Sequence, residues 1–174
     1  LMQRAHDAAV TQIFMPIIDS TTIGPLLSVC NTYKGFCFPM IGLHPTSVNE
    51  SYEKELDIVA HQLAPFNEYV AIGEIGLDLY WDKTFLKEQL IVFEKQIEWA
   101  LEYHLPIVVH CREAFEYIYK VLEPYKKSGL KGIFHSFTGT SEEAEKLLEF
   151  PDFMLGIYGV VTFKKSQLGD VLKG

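Results

Sequence analysis

Six short apolar stretches, separated by patterns of helical period, constrain the fold of this chain more than any other feature. They are IFMPIID (13–19), CFPMIGLHP (37–45), VAIGEIGLD (70–78), PIVVHCR (106–112), GIFHSFTG (132–139) and FMLGIYGVV (153–161). Most are continuous rather than alternating, as strands buried on both faces should be. Between them, Ile23, Leu26, Leu27 and Cys30 recur at helical spacing, with Pro25 suited to a first turn. Further helical patterns cover 51–64, 84–104, 113–128 and 141–150, the last opened by a capping box of Thr140 and Glu143. Strand followed by helix, repeated, predicts an α/β chain with a parallel sheet. Two architectures meet that description, an open doubly wound sheet and a (β/α)8 barrel. Neither a G-x-G-x-x-G nor a P-loop motif is present, which weighs against the nucleotide-binding versions.

The 174 residues, 48% of them hydrophobic, suffice for one core, so residues 1–174 are expected to form a single domain. No apolar run approaches the roughly 18 residues of a membrane span, and the first ten residues lack the layout of a signal peptide. The net charge of −8 argues against a general nucleic-acid coat. A metal-centred site can still take phosphate, because a bound cation reverses the local sign. Cys30, Cys37 and Cys111 lack metal-finger spacing and read as free thiols of a reducing compartment, the cytoplasm. The chain opens at Leu1 with helix-like sequence and ends in LGDVLKG without a closing element, so a piece of a longer protein is expected.

Four of the apolar runs carry a histidine or an acid near the C-terminal end: His44, Glu74, His110 and His135. In a parallel barrel these ends open on one face, where side chains from separate strands converge. Imidazoles and carboxylates are the ligands of Zn²⁺, Mn²⁺ or Fe²⁺, and a cation would make a carboxylate tolerable in the apolar surroundings of Glu74. Asp78, at the end of the same run, is placed to orient a ligand from behind. Arg112 follows His110 by two and shares its side of the strand, where it can hold a phosphate oxygen or form a structural ion pair, Glu74 being one partner. Tyr80 and Trp81 could stack on a base or sugar, or simply cover the barrel mouth. Taken singly, a strand-end histidine is more often a hydrogen-bonded core or loop residue; the coincidence on successive strands is what points to a site. His6, His61 and His104 do not share the pattern.

GLHP, VAIGEIGLD, PIVVHCRE, FHSFTGT and GVVTF, in this order, resemble the TatD family of metal-dependent deoxyribonucleases. The resemblance implies a (β/α)8 barrel of the amidohydrolase-like group, hydrolysing phosphodiester bonds in DNA with one or two divalent metals (Mg, Mn or Zn). It implies Glu74 as the metal-bridging, catalytic carboxylate and His110 and His135 as metal ligands, and it places His44 and Arg112 at motif positions lining the pocket. The family's opening HxH strand and later Asp-bearing strand have no counterpart here, so the six runs correspond to the second through seventh strands. Ser136 stands where a Cys is common, and Tyr158 where a small residue is usual. DNA is the expected substrate, with no membrane and no obligatory protein partner. Two alternatives remain open: a related hydrolase of amide, lactone or cyclic imide bonds, and a non-catalytic barrel module.

Overall fold

The computed structural model describes residues 1–64 and 68–173. Strands and helices alternate as the apolar runs predict. Helix α1 (Met2–Asp7) leads to β1 (Ile13–Pro16), α2 (Ile23–Thr32), β2 (Cys37–Met40) and α3 (Tyr52–Leu63). Then come β3 (Ile72–Asp78), α4 (Leu86–Glu102), β4 (Ile107–Arg112) and α5 (Phe115–Leu122). The last elements are β5 (Gly132–Phe134), α6 (Ser141–Leu147), β6 (Phe153–Leu155) and α7 (Leu168–Val171). No helix among the described residues is long and apolar enough to cross a membrane.

All strand pairs among the described residues are parallel. β1 pairs with β2, and β3 to β6 form a second sheet in sequence order. Among the described residues a bridge from Ile41 to Ile72 joins the two sheets, with Ile41 N–H donating to Ala71 C=O at 3.1 Å and Gly73 N–H donating to Ile41 C=O at 2.7 Å. Strand order therefore follows chain order, as in a (β/α) barrel, rather than reversing as in a doubly wound sheet. Among the described residues β1 and β6 do not pair with each other, so the barrel is partial and unclosed.

One face of the strands supplies Ile72, Ile75, Leu77, Ile107, Val109 and Phe134 to a core shared with Phe93 and Ile97 of α4 and Ile118 and Leu122 of α5. Alternation sends the intervening residues to the other face. There Val108, Ile133 and Met154 stand in one register row across β4, β5 and β6. Phe14 and Phe38 make the corresponding row on β1 and β2. Met154 is 69% and Phe14 54% exposed, so this second face is apolar but uncovered.

Several boundaries differ from the sequence pattern. The 132–139 run yields a strand only to Phe134, because the backbone turns to positive φ at Ser136. The 153–161 run yields a strand only to Leu155, followed by a 3₁₀ turn over Gly159–Thr162. Helix α4 stops at Glu102, and His104 lies beyond it with φ 53°. The capping box of α6 forms as expected: Glu143 N–H donates to Thr140 Oγ1, and Thr140 N–H donates to Glu143 Oε2.

Strand β3 is irregular where the site will form. Gly73 stands opposite Val108 and Ile75 opposite Val109, leaving Glu74 as an extra residue in the ladder. Such a bulge bends a strand and re-aims a side chain. Two glycines make the close approach to β4 possible. A Cβ on Gly73 would lie 2.6 Å from Val108 Cβ. A Cβ on Gly76, whose φ is +132°, would lie 2.1 Å from the carbonyl oxygen of His110. Gly76→Ala is therefore expected to destabilise the fold by about 3 kcal/mol or more, through clash and backbone strain together. Urea unfolding checks this, and an unchanged midpoint would contradict it.

Candidate metal centre

Glu74, on the bulge of β3, points its carboxylate between histidines from β4 and from the end of β5. Its Oε1 is buried and makes no hydrogen bond among the described residues. His110 Nδ1 lies 3.6 Å from this oxygen and His135 Nε2 lies 3.5 Å away. Leaving a buried carboxylate oxygen without a partner is costly. Ligand atoms of His44, Glu74 and His110 all lie within 4.8 Å of one another. An orphaned carboxylate oxygen beside imidazole nitrogens is a donor set suited to a divalent transition-metal cation. Of the predicted positions, His44, Glu74 and His110 make this tight group, while His135 approaches it through Glu74 and stays half-exposed.

The partners of each imidazole assign its proton. His110 Nε2 lies 2.9 Å from Asp78 Oδ2. An ionised carboxylate only accepts, so Nε2 carries the hydrogen and Nδ1 turns its lone pair toward Glu74. The Oδ1 of Asp78 accepts from Tyr80 N–H at 3.1 Å. His44 is arranged the opposite way. It opens a 3₁₀ turn, and its Nδ1 accepts from the backbone N–H of Thr46 at 3.2 Å. In the neutral ring the hydrogen then sits on Nε2, so that nitrogen donates. The two rings meet nearly edge to face, with centroids 4.6 Å apart.

Electrostatics separate the two rings further. Burial, reinforced by His110, pushes the pKa of His44 down to about 4. Burial also disfavours the charged form of His110, but Glu74 and Asp78 outweigh it and hold its pKa above the ordinary value. For Glu74, burial pushes the carboxyl up, and the surrounding imidazoles of His110, His135 and His44 more than reverse this. Cys111, on the opposite side of β4 from His110, has its thiol pushed up to about 11 by burial. It is thus a poor nucleophile.

Two glutamines that the periodicity reading passed over fix the strand ends. Gln96 is fully buried, and its side chain accepts from Leu43 N–H at 2.7 Å and donates to Leu43 C=O at 3.2 Å. Gln89 makes the same paired contact with Asp78, at 3.0 and 3.3 Å. They sit two helical turns apart on α4. One clamps the residue before His44, and the other clamps Asp78 itself. The available signal was a polar pair at a spacing of seven on a helix face otherwise apolar.

Arg112 makes no ion pair among the described residues. Its guanidinium lies over the Tyr80 ring, 3.8 Å from the centroid. Arg112 stands opposite Asp78 in the ladder, at the rim of the group.

The fold and this cluster define a class: (β/α)-barrel chains that gather histidines and a carboxylate at the C-terminal ends of their parallel strands. The TatD-related DNase family matches residues 1–173, and the chain belongs to that family. It is 34% identical over 167 residues to the uncharacterized metal-dependent hydrolase YabD of Bacillus subtilis, covering 96% of this chain and 64% of that protein. It is 32% identical over 168 residues to the 3′-5′ ssDNA/RNA exonuclease TatD of Pantoea vagans, covering 97% of this chain and again 64% of the relative. The crystal structure of YjjV, a TatD homolog from Escherichia coli K12, superposes with a TM-score of 0.89 at 27% identity. That match covers 98% of this chain and 65% of YjjV. The chain thus spans less than two-thirds of the length of these relatives.

Two outcomes are expected. In the metal-free protein, histidine NMR titration should find His44 neutral down to about pH 4 and His110 with a midpoint above the ordinary 6.5. The unfolded chain then binds more protons at His44 between those pH values, so this ring's contribution to stability falls as pH drops from 6.5 toward about 4. Equal midpoints for the two rings would contradict the assignment. Gln96→Leu strips both backbone groups of Leu43 of their partner and should cost about 2 kcal/mol. Chemical denaturation showing wild-type stability would contradict that.

Proposed function

We propose that this chain is the metal-binding part of a divalent-metal-dependent hydrolase that cleaves phosphodiester bonds in nucleic acid, DNA foremost. The observation that carries the proposal is the orphaned buried oxygen of Glu74 between two imidazoles. Family membership adds to it, since relatives carry the names metal-dependent hydrolase and ssDNA/RNA exonuclease. Residues 1–174 act as one barrel unit, holding one or two ions from among Mg²⁺, Mn²⁺ and Zn²⁺. The free cysteines suit a reducing compartment such as the cytoplasm.

Glu74 and His110 are the chief ligands, His110 through Nδ1. His135 completes the set from the open side of the group. Bound there, a divalent cation supplies a Lewis acid that acidifies water and neutralises phosphoryl charge. Asp78 holds the His110 ring in the ligating tautomer through its hydrogen bond to Nε2. His44 is neutral near pH 7 and keeps Nε2–H free to donate, which suits it to a phosphoryl oxygen rather than to a metal. Arg112 presents the edge of its guanidinium at the same rim, where two N–H groups can hold a phosphate.

Glu74→Gln keeps the size and shape of the side chain but removes its charge. In the protein loaded with Mn²⁺ it should lower hydrolysis of a single-stranded oligonucleotide at least about a hundredfold, the scale on which a lost catalytic electrostatic contact acts. Metal affinity, read by calorimetry, should fall with it. Undiminished turnover and affinity in Glu74→Gln would end the proposal. Cleavage of an amide, lactone or cyclic imide, with no cleavage of nucleic acid, would move the site to another substrate class.

A further inference from the structure

Beside the candidate metal centre stands an aromatic pair that the preceding chemistry does not use. Trp81 is 73% and Tyr80 49% exposed, and their rings meet edge to face at 4.8 Å. Large aromatic faces left open to water are costly to keep. Tyr80 is anchored directly, and Trp81 follows it in the chain with its ring against the Tyr80 ring. Tyr80 N–H donates to Asp78 Oδ1, while Asp78 Oδ2 holds His110. Gln89 clamps the backbone of Asp78 in turn. One carboxylate therefore ties Tyr80, against whose ring Trp81 packs, to the histidine that faces Glu74.

The cation completes the arrangement. Arg112 rests its face on Tyr80 at 3.8 Å and lies 5.4 Å from the Trp81 ring. Stacking occupies the guanidinium face and leaves its edge donors free for an anion. A flat exposed indole next to an anion-binding edge matches a nucleotide, base on ring and phosphate on guanidinium. On a chain of net charge −8, such a local cation is needed where a polyanion is to approach.

We propose that Trp81, with Tyr80 and Arg112, is a stacking platform for one unpaired nucleobase of the substrate, adjoining the scissile phosphodiester. The proposal rests on the nucleic-acid reading above and names the residues that would hold an unpaired base beside the cleaved bond. A paired base buries both faces in its duplex and cannot use the platform. Recognition is by the π-face, so all four bases are accepted.

The test is steady-state cleavage, with Mn²⁺, of a labelled single-stranded decanucleotide and of versions with an abasic residue at each of the last three positions of either end. Wild type should show a KM about tenfold higher at one abasic position, with kcat changed far less, as loss of one stacked base predicts. Trp81→Ala should show that higher KM on the intact strand and no further rise on the abasic one. Trp81→Phe should restore most of the loss. Because Trp81 is exposed, circular dichroism and thermal melting of the variants should match wild type. An unchanged KM in Trp81→Ala, or an abasic penalty that persists in it undiminished, overturns the platform while leaving the nuclease reading intact. No cleavage of any strand by wild type overturns both.

Discussion

Glu74 Oε1 lies buried beside two imidazole nitrogens, at 3.5 and 3.6 Å, with no hydrogen bond to either. Those separations are too long for good hydrogen bonds and short enough for shared ligation of one ion. The rest of the site serves this contact. Asp78 turns the His110 ring, Gly73 and Gly76 admit β4 close to β3, and the bulge aims the carboxylate. Remove the charge of Glu74 and these arrangements lose their common object.

The supporting frame comes from one helix. Gln89 and Gln96 on α4 use both ends of their amides to satisfy the backbone of Asp78 and of Leu43. Buried amide pairs of this kind fix strand ends more firmly than apolar packing, since each missed hydrogen bond leaves an unsatisfied group. His44, Asp78 and, through it, His110 are thereby held from behind. Among the described residues His135 has no such amide clamp, and it is half-exposed on the turn after β5. The firm part of the site is thus the His44, Glu74 and His110 group, with Tyr80 attached to it through Asp78.

The alternation of strand and helix and the polar strand ends were legible because apolar runs carrying His or Glu near their ends are unusual. The strand order was not, since a doubly wound sheet has the same periodicity, and the barrel was implied only by the family resemblance. A polar group must have a reason to be there, and periodicity alone places it on one edge of the sheet. The extra residue at Glu74 was not legible, because a bulge depends on the register with β4, which no local pattern encodes. Nor was the early end of β5, since a non-glycine residue at positive φ, Ser136, gives no sequence signal. Gln89 and Gln96 read as ordinary helix residues until the backbone they satisfy is known. Arg112 was open between phosphate and ion pair, and its seat on Tyr80 reflects a loop geometry beyond the reach of pattern. The tautomers of His44 and His110 follow from local hydrogen bonds, to Thr46 and to Asp78, which sequence does not carry.

The most direct measurement is anomalous diffraction at the zinc edge from crystals of the protein soaked in Zn²⁺. A peak is expected about 2.0–2.2 Å from both Glu74 Oε1 and His110 Nδ1. Crystals that bind zinc elsewhere, with Glu74 and His110 hydrogen-bonded directly to each other and no density between them, would contradict it.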